Sequence, residues 1–473
     1  MIKRWTVILS FMILFLISAC AQAEEPLTLD FFYVNDLHGM IEASDQSLGI
    51  AAMSHFFNHV PSDQRIILTG GDMYQGGFLS NITEGLLVME WMDRIGVDAA
   101  VLGNHEFDWG LDVVARHYNG THPIQAQHTL LGANILHLPT SSLPTGVQPY
   151  HIIQRSGVRI GIIGTMGYGL ESTILNEHVA DYHFLDPLPI IEEHARRLRS
   201  EEAVDVVIVI AHDGGERLNP FLEAFSEEAR IDAVFNGHTH QATLDDKGLL
   251  QLQAGGNGSH IGHLKLTWHH GRILEHHLAL YDRDNESLLW EEDVAELSII
   301  ENYKRLLSEY FEPFHTSDRF HSRGDLTRYA SRLMLYHYDV DFAFHNLGGT
   351  RVTLAAGVPM NYALIADIFP FNNPVVTLKV PGYLLARLIE FNPFYASRHS
   401  TFDESLWYTI ALNAYLYQRG YYRLGTFAAT THEMTVQQLV FESIKRHGEL
   451  YDRFSTDTGL ATYLEPQEKS LNP

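Results

Sequence analysis

Only one cysteine occurs in the 473-residue chain, Cys20, so no intrachain disulfide can form. Positive charge is scarce as well. Lys and Arg number 32 against 58 Asp and Glu, a net charge of −26. That balance argues against a nucleic-acid polymer or an anionic membrane surface as partner. The apolar stretch from Val7 to Ile17, behind Lys3 and Arg4, is too short to span a bilayer. It reads as the core of an export signal over residues 1–23. At this length two domains are expected rather than one.

What is present is a recurring pattern of apolar runs, each ending in a polar turn. Leu29 to Val34 leads into Asn35-Asp36-Leu37-His38-Gly39, and Ile66 to Leu68 into Thr69-Gly70-Gly71-Asp72. Val97 to Leu102 leads into Gly103-Asn104-His105-Glu106-Phe107-Asp108. Val206 to Ala211 precedes His212-Asp213-Gly214-Gly215, and Ile231 to Phe235 precedes Asn236-Gly237-His238-Thr239-His240. Between runs, Leu48 to Val60 and Leu86 to Ile95 have helical apolar spacing, as in βαβ units. Functional groups in such sheets gather beyond the carboxyl ends of the strands. One layout then brings Asp36, His38, Asp72, Asn104, His105, His212, His238 and His240 together.

Asp36 and His38 stand two residues apart, as do His238 and His240. An extended backbone would aim each pair the same way. A carboxylate offers two oxygens to two cations, which makes Asp72 the natural shared ligand. Asn104 offers its amide oxygen. His105 and Asp108 are candidates for a proton-transfer pair, the carboxylate orienting the imidazole. Glu106 and Phe107 read as supporting and packing residues, and Asp213 as a candidate to orient His212. Oxygen and imidazole ligands without thiolate suit Mn, Fe, Zn, Co or Mg and select none of them.

Asp-x-His, Gly-Asp, Gly-Asn-His-Glu, a lone His after a strand and Gly-His-x-His, in that order over roughly residues 29–265, resemble the signature of calcineurin-like metallophosphoesterases. The Gly-Asn-His-Glu-Phe-Asp form, with Gly-Gly-Thr-Arg at 348–351, is similar to the 5'-nucleotidase / UDP-sugar hydrolase family. The resemblance implies an α/β (α+β) architecture. A four-layer αββα sandwich would cover 24–290, a linker containing the helical stretch Leu297 to Phe311 would cover 291–322, and a smaller α/β substrate-binding domain would cover 323–473. It implies two divalent metal ions, one on Asp36, His38, Asp72 and His240, the other on Asp72, Asn104, His212 and His238. It implies hydrolysis of a nucleotide or another phosphorylated small molecule by metal-activated hydroxide. His105 would then stabilise phosphoryl charge or protonate the leaving alkoxide. Bound metal would also answer the charge problem of an acidic protein with an anionic substrate.

Gln253 to Gly258 and Ile261 to Trp268 resemble a closing hairpin of the first domain, and Pro370-Phe371-Asn372-Asn373 precedes a strand, Val375 to Val380, in the second. By the same resemblance Arg351 contacts phosphate or other substrate oxygens, and Asn373 lies in the base or ribose pocket. Two departures from the family pattern stand out. Only Phe391 to Leu406 fills a stretch that is longer in the family. Gln418-Arg419-Gly420-Tyr421-Tyr422 stands where the family has Gly-Gly-Asp-Gly-Tyr, with Gly420 in place of the sugar-binding Asp. Phe394, Tyr395, Tyr415, Tyr417, Tyr421 and Tyr422 are candidates to stack on a base. The expected alternatives are a related esterase acting on 2',3'-cyclic nucleotides, nucleotide-sugars or another ester, and a non-enzymatic surface protein with a vestigial site. Ile17-Ser18-Ala19-Cys20 resembles a bacterial lipobox, which places the protein in the periplasm or cell envelope on a lipid anchor at Cys20. Simple secretion, with cleavage after Ala23, is the competing reading.

Overall fold

The computed structural model describes residues 26–61, 65–420 and 422–447. The export signal with Cys20 lies outside these residues, as does Tyr421.

Two sheets face each other in the first domain. The seven-stranded sheet runs Arg272–Tyr281, Ile261–His269, Leu27–Val34, Arg65–Thr69, Val97–Val101, Thr129–Leu131, Val147–Gln148, and is parallel from Leu27–Val34 onward. The six-stranded sheet runs Ala242–Asp245, Leu250–Ala254, Ala233–Asn236, Val206–His212, Val158–Met166, Tyr150–Arg155, with its four inner strands parallel. Strand alternation sorts the first strand onto two cores. Leu29, Phe31 and Tyr33 point between the sheets and share a core with Ile208, Ile210 and Phe235. Phe32 and Val34 point away and pack with Phe57 of helix Ile50–His59 and Met92 of helix Leu86–Ile95. Beyond the second sheet, Val207, Val209 and Ala211 pack on Ile191, Ala195 and Leu198 of helix Pro187–Ser200. Helix, sheet, sheet and helix are thus the four layers. Each large apolar side chain buried between them contributes about 1.5–3 kcal/mol. Val206–His212 is covered on both faces, which is why it reads as one unbroken apolar run.

Two sequence expectations change here. The stretches Gln253–Gly258 and Ile261–Trp268 resemble a closing hairpin, yet they do not pair. Leu250–Ala254 ends in the second sheet, and Ile261–His269 crosses to the first, where it forms its hairpin with Arg272–Tyr281. The helical stretch 297–311 is split at Leu307 into Val294–Leu306 and Ser308–Phe311. Both pieces lie on the first domain's helical layer. Glu296 takes a bidentate pair from Arg94 at 3.0 and 2.6 Å, and Tyr310 packs on Phe78.

The second domain is a five-stranded sheet, Ala396–Ser397, Phe342–Phe344, Trp407–Asn413, Pro374–Pro381, Ala429–Thr435. One face packs on helices Arg323–His337 and Tyr362–Ile368, the other on helix Gly382–Phe391. Among the described residues no helix is long and apolar enough to cross a membrane.

Candidate dinuclear metal site

Five parallel strands of the two sheets end at the same edge of the sandwich, and their next residues meet there. Asp36 and His38 follow Leu27–Val34, Asp72 follows Arg65–Thr69, and Asn104 follows Val97–Val101. His212 closes Val206–His212, and His238 and His240 follow Ala233–Asn236. The ligand atoms of Asp36, His38 and His240 form one cluster, and those of Asp72, His212 and His238 another. His240 Nε2 lies 3.3 Å from Asp36 Oδ1, and His212 Nε2 lies 3.2 Å from Asp72 Oδ2. Asn104 Oδ1 sits 3.1 Å from His212 Nε2 and 3.0 Å from His238 Nδ1.

The backbone is bent to achieve this. Asp36, His38, Asp72, His238 and His240 have φ between 49° and 69°. The extended geometry expected for the two i, i+2 pairs is therefore wrong: left-handed kinks, not strand alternation, turn these side chains inward. Such conformations cost of order 1–3 kcal/mol each and concentrate at functional sites. Asp and His tolerate them better than most residues. Gly103 is required for a different reason, since a Cβ there would lie 2.3 Å from Asp72 Oδ1.

The surrounding hydrogen bonds fit a cation. His212 Nδ1 donates to the Gly70 carbonyl at 2.7 Å, and His38 Nδ1 faces the Gln75 carbonyl at 3.1 Å. Each ring then turns its Nε2 lone pair to the centre. There His38 Nε2 meets His240 Nε2 at 3.0 Å, and His212 Nε2 meets the Asn104 oxygen. Acceptor facing acceptor is stable only with a proton or a cation between. The acid-base balance says the same. Burial, then Arg351, hold His38 well below the usual histidine range, the neutral form a metal needs. Burial also depresses His212, but Asp72 outweighs it and pushes the imidazole up to about 10. Burial raises Asp72, yet the histidines around it, His212 first, hold it well below the usual carboxylate range. The centre competes for positive charge.

Glu106 anchors the frame. Its carboxylate accepts the backbone N–H groups of Asp72 at 2.8 Å, Met73 at 2.8 Å and Gly103 at 2.6 Å. Asp72 in turn accepts the His105 N–H at 2.8 Å. Asp36 is fixed by Asn35 Nδ2 at 2.6 Å and by the His238 N–H at 2.9 Å. Asp213 does not orient His212; its oxygen caps the Gly215 N–H at 2.7 Å, because Gly70 already holds the His212 ring.

His105 stands beside the centre with Nδ1 2.6 Å from Asp108 Oδ2. Burial lowers its pKa, but Asp108 and then Asp72 outweigh that and raise it. His105 also falls within metal-binding reach together with His38 and Asp72. From the second domain, Arg351 Nη2 reaches to 2.9 Å from His38 Nε2, and its guanidinium lies 5.7 Å from the Phe371 ring centre. Phe371 in turn lies 5.6 Å from the His105 ring. Asn373 lines the same interdomain cavity, of about 900 Å³.

Of the stacking candidates, Tyr415 lines this cavity. Tyr395 packs against Phe342 and Phe344 in the second domain's core, Phe394 lies against Gly324, and Tyr422 bonds Asn392 at 3.1 Å. Phe371 and Gln75 were not singled out by sequence. Gln75 Nε2 reaches the Pro370 carbonyl at 3.4 Å, tying the turn after Asp72 to the loop that carries Phe371. Phe371 stands beside the Asn373 motif, which is the one signal that pointed near it.

Residues 29–242 match the calcineurin-like phosphoesterase family, and residues 317–420 match the 5'-nucleotidase C-terminal domain. The chain is similar to Endonuclease YhcR of Bacillus subtilis, 24% identical over 80% of this chain, and spans about a third (34%) of that relative's length. It is 23% identical to a 5'-nucleotidase of Vibrio cholerae over 76% of this chain and 75% of the relative. A solved 5'-nucleotidase precursor from Thermus thermophilus has the same fold, with a TM-score of 0.78 over 89% of this chain and 97% of that one at 18% identity.

Proposed function

We propose an activity on the premise that the chain belongs to the 5'-nucleotidase family, a calcineurin-like phosphoesterase domain joined to a 5'-nucleotidase C-terminal domain. The protein is a phosphoester hydrolase of the cell envelope that removes phosphate from nucleotides at a pair of divalent cations, held to the membrane by lipid on Cys20. One observation carries the reading. Seven side chains with oxygen or imidazole donors converge at the strand ends, beside a His–Asp pair and a half-buried arginine from the second domain.

Asp36, His38, Asp72 and His240 would hold one ion, and Asp72, Asn104, His212 and His238 the other. Two such ions would neutralise the phosphoryl oxygens and lower the pKa of the attacking water. Arg351 donates to a phosphoryl oxygen as charge gathers in the transition state. Against the effect of burial, Asp108, which accepts the Nδ1–H of His105, and Asp72 raise the imidazole's pKa, which favours the protonated form. His105 therefore either donates to the phosphoryl oxygens or gives its proton to the leaving alkoxide. Asn373 meets the leaving group. A panel of AMP, UDP-glucose, 2',3'-cyclic AMP and p-nitrophenyl phosphate, with added Mn, tests the activity. AMP is expected to be turned over best, and no turnover of any compound with metal bound contradicts the reading. Labelled palmitate should enter the wild type and not Cys20→Ala; equal labelling refutes the anchor.

A second reading, a related esterase acting on 2',3'-cyclic nucleotides or another ester, is favoured by Gly420, which removes the carboxylate expected to hold sugar hydroxyls. The same panel separates the two.

A further inference from the structure

The arginine that reaches the metal site stands at the end of a loop, and a loop fixes a long side chain poorly unless something grips it. This loop runs from Asn346 to Arg351 and holds a short 3-10 turn, Leu347–Gly349. The first turn of helix Arg323–His337 packs against it. That helix start is already capped: Ser322 Oγ accepts the Asp325 N–H, and the Asp325 carboxylate accepts the Ser322 N–H. Arg323, the first helical residue, is out of place electrostatically, because a helix N-terminus repels positive charge.

Its contacts account for the position. Arg323 Nε donates to the Thr350 carbonyl at 2.6 Å, and Nη2 donates to the Leu347 carbonyl at 3.1 Å. One rigid fork thus spans both ends of the turn. A helical turn further on, Thr327 Oγ1 is bonded to Thr350 Oγ1 at 2.9 Å, and both threonines are buried. The loop's flanks are held separately. Asn413 Nδ2 donates to Asn346 Oδ1 at 2.8 Å, and the Arg351 N–H donates to the Ile368 carbonyl at 2.9 Å. The demand on this loop is plain at its end, where Arg351 Nη2 must arrive 2.9 Å from His38 Nε2 on the other domain. A misplacement of ~1 Å at such a contact can cost ~10²-fold in rate.

We propose that Arg323 is a positioning residue for the reaction. It fixes the turn from Leu347 to Thr350 so that Arg351 is delivered to the phosphoryl group, and it acts through Arg351 alone. This rests on the role given to Arg351 in the phosphoester-hydrolase reading above.

The test is a double-mutant cycle on the metal-loaded full-length protein, read as kcat/KM for the best substrate of the panel above. Arg323→Met keeps an aliphatic stem and removes both donors. It should lower kcat/KM by roughly fivefold or more with metal content unchanged. In an Arg351→Ala background the same change should cost less than about twofold, because nothing is left to position. A role confined to stability would cost the same in both backgrounds, and that result overturns the proposal. So does a smaller effect than this in the first background, a larger one in the second, or loss of metal from Arg323→Met. Thr327→Val keeps the shape and removes the hydroxyl beside Thr350. It should lower kcat/KM by about twofold or more, again only where Arg351 is present. This variant carries the test if Arg323→Met does not fold, and an additive effect, or none, overturns the proposal. If no compound is hydrolysed with metal bound, the hydrolase reading fails by itself. The cycle is then read as Kd for inorganic phosphate with the same thresholds. Phosphate that binds all variants equally, or none of them, overturns the positioning role as well.

Discussion

In the first domain the candidate ligands stand directly after five buried strands, on backbone forced into left-handed kinks. In the second, Arg351, Phe371 and Asn373 come from loops between elements, and their carriers reach the cleft by docking on the first domain. Phe78 N–H donates to Asp367 Oδ1 at 2.6 Å across that junction, and Phe78 packs on Tyr362. On the proposed function, the difference is between chemistry and recognition. Holding cations needs a fixed set of atoms within a few ångströms, so the residue types, their order and their place after strands are all constrained. Binding a leaving group needs shape and a few amides, which many loop sequences supply. If this division is right, changes in the first domain should strike metal content and kcat, and changes in the second should strike substrate affinity.

The largest effect is expected from Asp72→Ala. It removes the one carboxylate that faces both clusters. Activity should fall well beyond the ~10–100-fold typical of losing an outer-sphere partner, with metal released; a variant with full metal content and a normal rate would break the comparison outright. His105→Ala should lower kcat by ~10²–10⁴-fold with metal content intact. Loss of metal in that variant would mean that His105 is a ligand, as its place beside His38 and Asp72 permits. Arg351→Ala should reduce kcat/KM by roughly 10–100-fold, the worth of a charged hydrogen bond, without changing metal content. Metal loss there would show that the second domain helps build the centre.

Glu106→Gln sharpens the comparison from below. It keeps the shape but weakens acceptance of three backbone N–H groups. Metal affinity should fall by ~10–100-fold while KM at saturating metal is unchanged, readable by metal titration. The smallest effect concerns the junction. Burial pushes Asp367 up to about 7, so its folded-state pKa exceeds the unfolded one. Its stabilising contribution is therefore complete below the unfolded value, near 4, and declines as pH rises toward 7 by up to ~1.4 kcal/mol per pH unit. The difference in unfolding free energy between wild type and Asp367→Asn should fall across that window; a pH-independent difference would refute it.

Much of the first domain was legible from the chain itself. Apolar runs with helical stretches between them marked the strands, and turn residues at their ends marked the cluster. What stayed hidden has physical causes. The left-handed φ of His38 or His240 leaves no trace in residue order, because His is also common in ordinary turns. The crossing from Leu250–Ala254 to Ile261–His269 looks like a hairpin because both flanking runs are apolar and the link is glycine-rich. Asp213 looked like a partner for His212 by adjacency, but a strand end turns neighbouring side chains apart, and a backbone carbonyl filled the role. In the second domain the tyrosine-rich segments looked alike. Packing alone sent Tyr395 to the core and Tyr415 to the cleft.

The central claim is most directly tested by anomalous diffraction from crystals grown with Mn. The account predicts two peaks ~3.5–4 Å apart, one between Asp36 and His240, the other between Asn104 and His238, with Asp72 touching both. A single peak, or a peak whose ligands include His105 in place of Asn104, would contradict it.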